Sequence, residues 1–217
     1  MTGTTDRAEP TLTPAARRIL DTAAELFYSR GIHAVGVDTI AAESGVTKRT
    51  LYDRFGSKDG LLVTYLEDRD RRWRARIADH LAGHTDPIRR LLVPFDVLPE
   101  WLPGNSRGCG FINAFAELPE PDHPGRRVIV DEKTWLRDLF RELAAAAGAA
   151  DPDRLAVQLL SLHEGAIISF SITGEQTAAA ATRAAALQLA EQATQRRPAR
   201  RGSDGSAADP GEHRLDR

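Results

Sequence analysis

The sequence of 217 residues contains a single cysteine, Cys109, so the chain can form neither an internal disulfide nor a cysteine-based zinc site. A reducing, cytoplasmic setting is therefore expected. Lysine is also scarce: Lys48, Lys58 and Lys133 are the three lysines, and arginine supplies the rest of the positive charge. The two lysines in the N-terminal third stand out against this arginine background.

Long apolar runs and a charge excess are missing as well. No uninterrupted apolar run reaches the roughly 18 residues that a bilayer requires, and the first ten residues lack the apolar core of a signal peptide. We therefore expect no membrane partner. The formal net charge of −2 excludes a surface that binds nucleic acid throughout, so any such contact must be local.

Signatures of catalysis are not evident. The sequence contains no GxSxG, no HExxH and no phosphate-binding glycine loop, and no pairing of a nucleophile with a base is apparent. These absences argue against an enzyme, and we expect neither a metal nor another cofactor.

Helical periodicity is present along most of the chain. Alanine-rich stretches and the spacing of apolar residues predict an all-α fold. Thr13 and Pro14 predict the first helix start, and Gly31 its end. Further helices are predicted over residues 37–44, 46–55, 57–80, 87–98, 109–118, 125–147, 152–172 and 175–195, with a loop over 99–108. Residues 1–12 and 196–217 are polar and are predicted to be disordered.

The segment 36–55, GVDTIAAESGVTKRTLYDRF, carries the most specific pattern. Two helices that are each too short to be stable alone meet at Gly45, which suits a turn with positive φ. This arrangement is typical of a helix-turn-helix unit. The second helix would present hydroxyl and cationic side chains, which suit phosphates and base edges. The alternative for these charges is an ordinary solvated helix face.

Residues 13–66 resemble the N-terminal domain of the tetracycline repressor (TetR) family. The resemblance rests on Ile19-Leu20, Ala23-Ala24, Leu26-Phe27 and Gly31, on Ile40-Ala41 with Gly45-Val46, and on Thr50-Leu51-Tyr52 to Phe55 followed by Ser57-Lys58 and Leu61-Leu62. It implies an N-terminal three-helix helix-turn-helix DNA-binding domain over residues 13–60. It also implies a larger C-terminal helical domain over residues 61–195, for ligand binding and dimerisation.

The same resemblance implies which side chains bind DNA. Thr47, Lys48, Arg49 and Thr50 would face the major groove, while Tyr52 and Lys58 would hold phosphates. The helix N-terminus beside Lys58 independently favours an anion. Two positions depart from the family pattern. Gly36 lacks the hydroxyl that many members place on a phosphate, and Arg49 stands where many have glycine; base reading and a phosphate contact both stay open for Arg49.

As a whole, the resemblance implies a ligand-responsive transcriptional regulator, and a repressor because most members of the family are repressors. It would bind a palindromic operator in double-stranded DNA as a homodimer and be released by a small apolar effector. The dimer is expected through residues 152–172 and 175–195, where small alanines allow close helix approach. The alternatives are a non-catalytic helical dimer and a DNA-binding regulator without an effector.

The middle helices offer candidates for the ligand pocket, although each aromatic ring among them could equally fill the core. The candidates are Phe95, Trp101, Arg107, Phe111, Asn113, Phe115, Trp135, His163 and Phe170. Residue by residue, we expect His163 to be a hydrogen-bonded core or interface histidine and Cys109 a buried structural thiol. The arginine run of residues 69–76 is interpreted as a solvated or interdomain face rather than a second DNA contact.

Overall fold

The structure is a computed structural model that describes residues 12–195. The predictions of disorder over residues 1–12 and 196–217 therefore lie outside the described residues, apart from Leu12, which packs partly buried against the N-terminal helices. All regular elements within the described range are helices, which confirms the all-α fold class.

The first four helices follow the predicted order and are bounded by predicted signals. They are α1 (Pro14–Arg30), α2 (Val37–Ser44), α3 (Lys48–Phe55) and α4 (Lys58–Ala82). Thr13 and Ser57 cap α1 and α4 by accepting backbone hydrogen bonds from Ala16 and Gly60. These caps satisfy N–H groups that the first turn of a helix leaves without partners.

Six further helices complete the described chain. They are α5 (Pro87–Asp96), α6 (Leu98–Trp101), α7 (Gly110–Glu117), α8 (Pro124–Ala146), α9 (Pro152–Thr173) and α10 (Ala178–Thr194). The loop predicted over residues 99–108 is wrong at its beginning. Pro99 lies in the first turn of α6, where a proline is tolerated because that N–H has no helical partner.

Two apolar clusters hold the helices together. The N-terminal core joins α1, α2, α3 and the first half of α4 to α7 and the start of α8, for example through Ile19, Leu51 and Phe111. The C-terminal core joins the second half of α4 to α5, α6, α8, α9 and α10. Cys109 packs against both clusters, so the segment before α7 lies at their junction.

Helix α9 is unusual in its composition. By length and composition alone it could cross a membrane, with a mean hydropathy of 1.5 over a window of which 33% is buried within the chain. Two observations favour a packed helix instead: α9 lies against both α8 and α10, and its Glu164 pairs with Lys133 of α8. Much of its apolar surface nevertheless stays uncovered in the single chain.

Candidate nucleic-acid interface and internal cavity

The turn between α2 and α3 fixes the direction in which α3 projects. Gly45 adopts the left-handed conformation with φ +66, as its position in the sequence predicts. The next residue, Val46, donates a backbone hydrogen bond of 3.1 Å to the carbonyl of Ala41. Thr47 then caps α3 by accepting from the N–H of Thr50 at 3.1 Å, and Leu51 anchors the helix because its side chain is fully buried.

The side chains predicted to meet DNA occupy the outer face of α3. Thr47, Lys48, Arg49 and Tyr52 are exposed, and the Arg49 side chain is 91% accessible. Thr50 is half-buried and shares a 2.9 Å hydrogen bond with the hydroxyl of Thr47. A short capped helix thus presents hydroxyls, cations and one aromatic ring to solvent.

Both cations on this face have a carboxylate neighbour. Lys48 pairs with Asp38 of α2, and Arg49 lies 3.9 Å from Asp53 one turn along α3. All four side chains are largely exposed, so these pairs contribute little free energy to folding. A phosphate can therefore replace either carboxylate at small cost.

Lys58 is placed differently from the other candidates. Its ammonium donates a 2.6 Å hydrogen bond to the carbonyl of Ile32, in the connector between α1 and α2, and the contact is partly buried. In this structure Lys58 therefore ties the start of α4 to that connector. Its contact with a DNA phosphate stays a prediction.

The arginine run on α4 mostly forms ion pairs at the surface. Asp68 is buried and accepts from Arg17 of α1 at 3.2 Å and from Arg71 at 2.7 Å, with Arg72 at 3.0 Å. These contacts fit the interdomain interpretation, because they join α1 to α4. Arg69 differs from its neighbours: it is only 8% exposed and lies where the two cores meet, which fits the interdomain rather than the solvated interpretation.

Arg69 lines an internal cavity of about 370 Å³, measured with its opening, at the junction of the two cores. Most of this volume belongs to the opening, so the interior is narrow. Its walls come from α4, α6, α7, α8, α9 and the segment between α6 and α7. The lining residues are Arg69, Trp73, Trp101, Asn105, Gly108, Cys109, Phe111, Glu132, Lys133, His163 and Ile167.

Three of the nine predicted pocket residues line this cavity, and a fourth lies behind one of them. Trp101, Phe111 and His163 line it, and Phe95 is buried behind His163 with ring centroids 5.7 Å apart. The His163 ring is also flanked by Trp73 and Phe140. His163 lies in the core with 2% of its surface exposed, as expected, and its Nδ1 is 3.7 Å from a carboxylate oxygen of Glu164. Burial lowers the pKa of His163, so the ring is neutral at pH 7.

The other five predicted residues lie elsewhere. Arg107 donates a 2.7 Å hydrogen bond to the Tyr28 carbonyl, and Asn113 donates to the Arg107 carbonyl at 2.9 Å. Trp135 stacks under Arg74, and Phe115 lies against Arg126 on a surface groove. Phe170 packs partly buried against the C-terminal core.

The sequence analysis did not predict the buried charged groups at the cavity. Lys133 donates a 2.7 Å hydrogen bond to Glu164 and lies 3.2 Å from Glu132. Burial acts to raise the pKa of Glu164, but the neighbouring His163 and Lys133 outweigh it and lower the pKa to about 2. Burial raises the pKa of Glu132. The available signal was the adjacent Glu132 and Lys133 in the middle of amphipathic α8.

Comparison with known proteins agrees with this geometry. The sequence profile described as "Bacterial regulatory proteins, tetR family" matches residues 19–64, which run from α1 into α4. The fold matches that of SCO4454, a TetR-family transcriptional regulator from Streptomyces coelicolor, with a TM-score of 0.79. The two chains are 30% identical, and the match covers 83% of this chain and 96% of that one. The chain belongs to the TetR family. It is therefore a helix-turn-helix transcriptional regulator.

The curated relatives include both an activator and a repressor of transcription. The uncharacterized HTH-type regulator Rv1255c of Mycobacterium tuberculosis is 38% identical over 79 residues, which span 36% of this chain and only 39% of that protein. The activator FasR of Mycolicibacterium smegmatis is 31% identical over 48% of each chain. The repressor DhaR of Mycobacterium sp. GP1 is 26% identical over 74% of this chain and 84% of that one. The TetR-family assignment therefore leaves the direction of regulation to experiment.

Proposed function

We propose that this TetR-family chain is a ligand-responsive repressor that binds a palindromic operator as a homodimer. The observation that carries the proposal is the outer face of α3. There, a capped helix anchored by Leu51 presents Thr47, Lys48, Arg49 and Tyr52 to solvent. Such a face places cations and hydroxyls within reach of phosphates and base edges when α3 enters the major groove.

Arg49 gives this member its own operator preference in our proposal. Its side chain is 91% exposed, and its pairing with Asp53 is too weak to hold it. A guanidinium at this position can bind a guanine edge with two hydrogen bonds or contact a phosphate. Operator selection with an Arg49→Gly variant separates the two, because only base reading changes the preferred sequence.

The homodimer is proposed through α9 and α10. The uncovered face of α9 carries Val157, Ile168 and Ile172, of which Ile172 is 78% exposed. The adjacent helix α10 exposes small alanines that permit close approach of a partner helix. A second copy would cover both faces in a four-helix contact. The two α3 helices of the dimer would then meet half-sites about one DNA turn apart.

Effector release is proposed to run from the cavity to α1. Tyr28 of α1 donates a 3.0 Å hydrogen bond to the carbonyl of Gly108, which lines the cavity, and accepts 2.8 Å from the N–H of Arg107. A ligand that moves this segment moves α1, against which α2 and α3 pack. Differential affinity of only a few kcal/mol between two states would suffice to release DNA.

The lining changes the expected nature of the effector. Aromatic rings share the cavity with buried charged groups, so a purely apolar effector would leave those groups without partners. We infer no catalytic activity, since the relatives are regulators, and we place the protein in the cytoplasm, where its operator would lie.

The proposal is tested by selecting bound DNA from a random-sequence pool with the full chain, followed by footprinting. We expect an inverted repeat with half-sites about one turn apart, bound by two chains. Recovery of no preferred sequence would contradict the proposal. A single unrepeated half-site bound by one chain would contradict its dimeric part.

A further inference from the structure

We infer that the internal cavity binds a small organic carboxylate, held by the guanidinium of Arg69 beside the first turn of α7. The inference deepens the proposed function by naming the chemical class of the effector, and it rests on that function only for the consequence of binding for DNA. Carboxylate binding itself can be measured without an operator.

Arg69 is a buried cation that lacks an anionic partner. Within the described residues no carboxylate lies within 4.0 Å of its guanidinium, and its Nε has no hydrogen-bond partner. Its Nη2 donates to the amide oxygen of Asn105 at 2.5 Å. The rings of Tyr28, Trp101 and Phe111 surround the group, with centroids 5.2 to 5.9 Å from Cζ. A buried guanidinium that lines a cavity and has no carboxylate partner is a ready donor to an anion.

The start of α7 adds a second positive feature at the same place. Its first turn lies at the cavity, because Gly108, Cys109 and Phe111 line it. A Cβ built on Gly110 would lie 2.8 Å from Nε of Arg69, so this glycine allows the guanidinium to lie against the helix N-terminus. A guanidinium and a helix N-terminus that lie side by side both favour an anion in the cavity next to them.

The acidic side chains nearby do not supply that anion. Glu164 is held by Lys133 at 2.7 Å, and the nearest cation to Glu132 is also Lys133, at 3.2 Å. Burial raises the pKa of Glu132 and so favours its neutral form, which can donate a hydrogen bond. The positive charge of Arg69 therefore stays unmatched within the cavity.

The walls define the rest of the ligand. Trp73 and Trp101 have ring centroids 5.1 Å apart, and the narrow interior leaves room for only a few heavy atoms. A carboxylate of two to four carbons meets both the charge and the space. An aromatic-lined cavity could instead suggest a quaternary ammonium ligand, but unpaired Arg69 would repel it.

Binding at Arg69 also has a route to α1. The guanidinium holds Asn105, whose amide donates a 2.6 Å hydrogen bond to the Trp101 carbonyl. The segment that follows Asn105 contacts Tyr28 of α1 through Gly108. A carboxylate that draws Arg69 away from Asn105 would therefore shift the segment that Tyr28 holds.

The test is a titration of the full chain observed at the arginine Nε–Hε resonances by NMR, with Arg69 assigned by its absence in Arg69→Lys. The probes are propanoate, its neutral isostere propanamide, and choline. We expect the Arg69 resonance to shift saturably with propanoate and to stay unchanged with propanamide and choline. Arg69→Gln should weaken propanoate binding at least tenfold, measured by calorimetry. Arg76→Gln should bind as the wild type, because Arg76 lies on the same helix and pairs with Glu100 outside the cavity.

An Arg69 resonance that propanoate leaves unchanged, or that propanamide or choline shifts equally, overturns the inference. The wild-type titration decides the matter even if Arg69→Gln fails to fold. A parallel titration of the operator complex separates the two proposals. If propanoate binds Arg69 but leaves the operator complex intact, release by this ligand is wrong and the site stands. If the chain binds no operator, the repressor proposal fails while the NMR result still judges the cavity.

Discussion

Lys48 is proposed to contact DNA, and in the structure it is held by a neighbouring carboxylate. In the unbound chain its ammonium pairs with Asp38, and both groups are exposed. An exposed pair of this kind contributes little to folding, so its exchange for a phosphate costs little.

Gly36 is the residue at which a gain of binding is predicted. It occupies the N-cap of α2 without a capping side chain, has φ −86, and leaves open space where a Cβ would lie. Gly36→Thr should stabilise the fold by about 0.5 kcal/mol through capping and a stiffer unfolded chain. The new hydroxyl should also tighten operator binding several-fold. Gly36→Ala is the matched control, since it lacks the hydroxyl; equal DNA affinities of the two variants would count against a phosphate at this position.

Cys109 is predicted to react slowly with thiol reagents. Burial raises the pKa of its thiol despite the nearby ammonium of Lys133, so little thiolate exists at pH 7. Alkylation by iodoacetamide, followed by mass spectrometry from pH 6 to 10, should be at least tenfold slower in the folded chain than in urea. The difference should narrow as the pH rises toward the raised pKa. Fast labelling of the folded chain at pH 7 would contradict a structural role.

At the scale of elements, Asp68 joins α1 to α4. Burial acts to raise the pKa of Asp68, but the hydrogen bond from Arg71 and the charges of Arg72 and Arg17 outweigh it, so the pKa is lowered. A lowered carboxylate pKa contributes stability above the unfolded value of about 3.9, and that stability is lost as the pH falls through the native pKa.

Asp68→Asn should therefore lower the free energy of unfolding by about 2 kcal/mol at pH 7. This is less than for a fully buried pair because the three arginines are about half exposed. Urea titrations at fixed chain concentration from pH 7 to pH 3 should show the deficit shrinking as the pH falls. Asp70→Asn, which breaks only the pair with Arg74, should cost less than about 1 kcal/mol. A deficit that stays constant with pH would rule out the charge explanation.

Capping residues and apolar periodicity predicted the helices well, but they did not predict which side chains meet across long sequence separations. The side chains of Thr13, Ser57 and Asp151 each cap a helix by accepting a hydrogen bond from the N–H three residues ahead. Because these signals are local, the starts of α1, α4 and α9 could be placed from the sequence. The cavity joins Arg69 to Asn105, 36 residues away, and Lys133 to Glu164, 31 residues away. Apolar periodicity marks which face of a helix is buried but not which polar group lies opposite on another helix. The sequence therefore did not distinguish buried Arg69 from the more exposed arginines beside it.

For the whole molecule, the uncovered face of α9 predicts the assembly. Ile168→Glu combined with Ile172→Glu places two charges at the proposed dimer contact, where burial without partners is costly. Light scattering at micromolar concentration should give the chain mass of 23.7 kDa for this variant and twice that for the wild type. Ile168→Leu keeps the apolar surface and should stay dimeric. A wild-type chain that is monomeric at this concentration would rule out the proposed assembly.

The central claim is that DNA is bound by the outer face of α3, and Lys48→Glu tests it most directly. Affinity for the selected operator should be measured between 50 and 200 mM salt beside Arg89→Glu, an equal change of charge at an exposed site on α5. Lys48→Glu should weaken binding at least a hundredfold and reduce the salt slope by about 2, one contact for each protomer. Arg89→Glu should keep the wild-type affinity and slope. Equal effects of the two substitutions, or unchanged binding by Lys48→Glu, would contradict the claim.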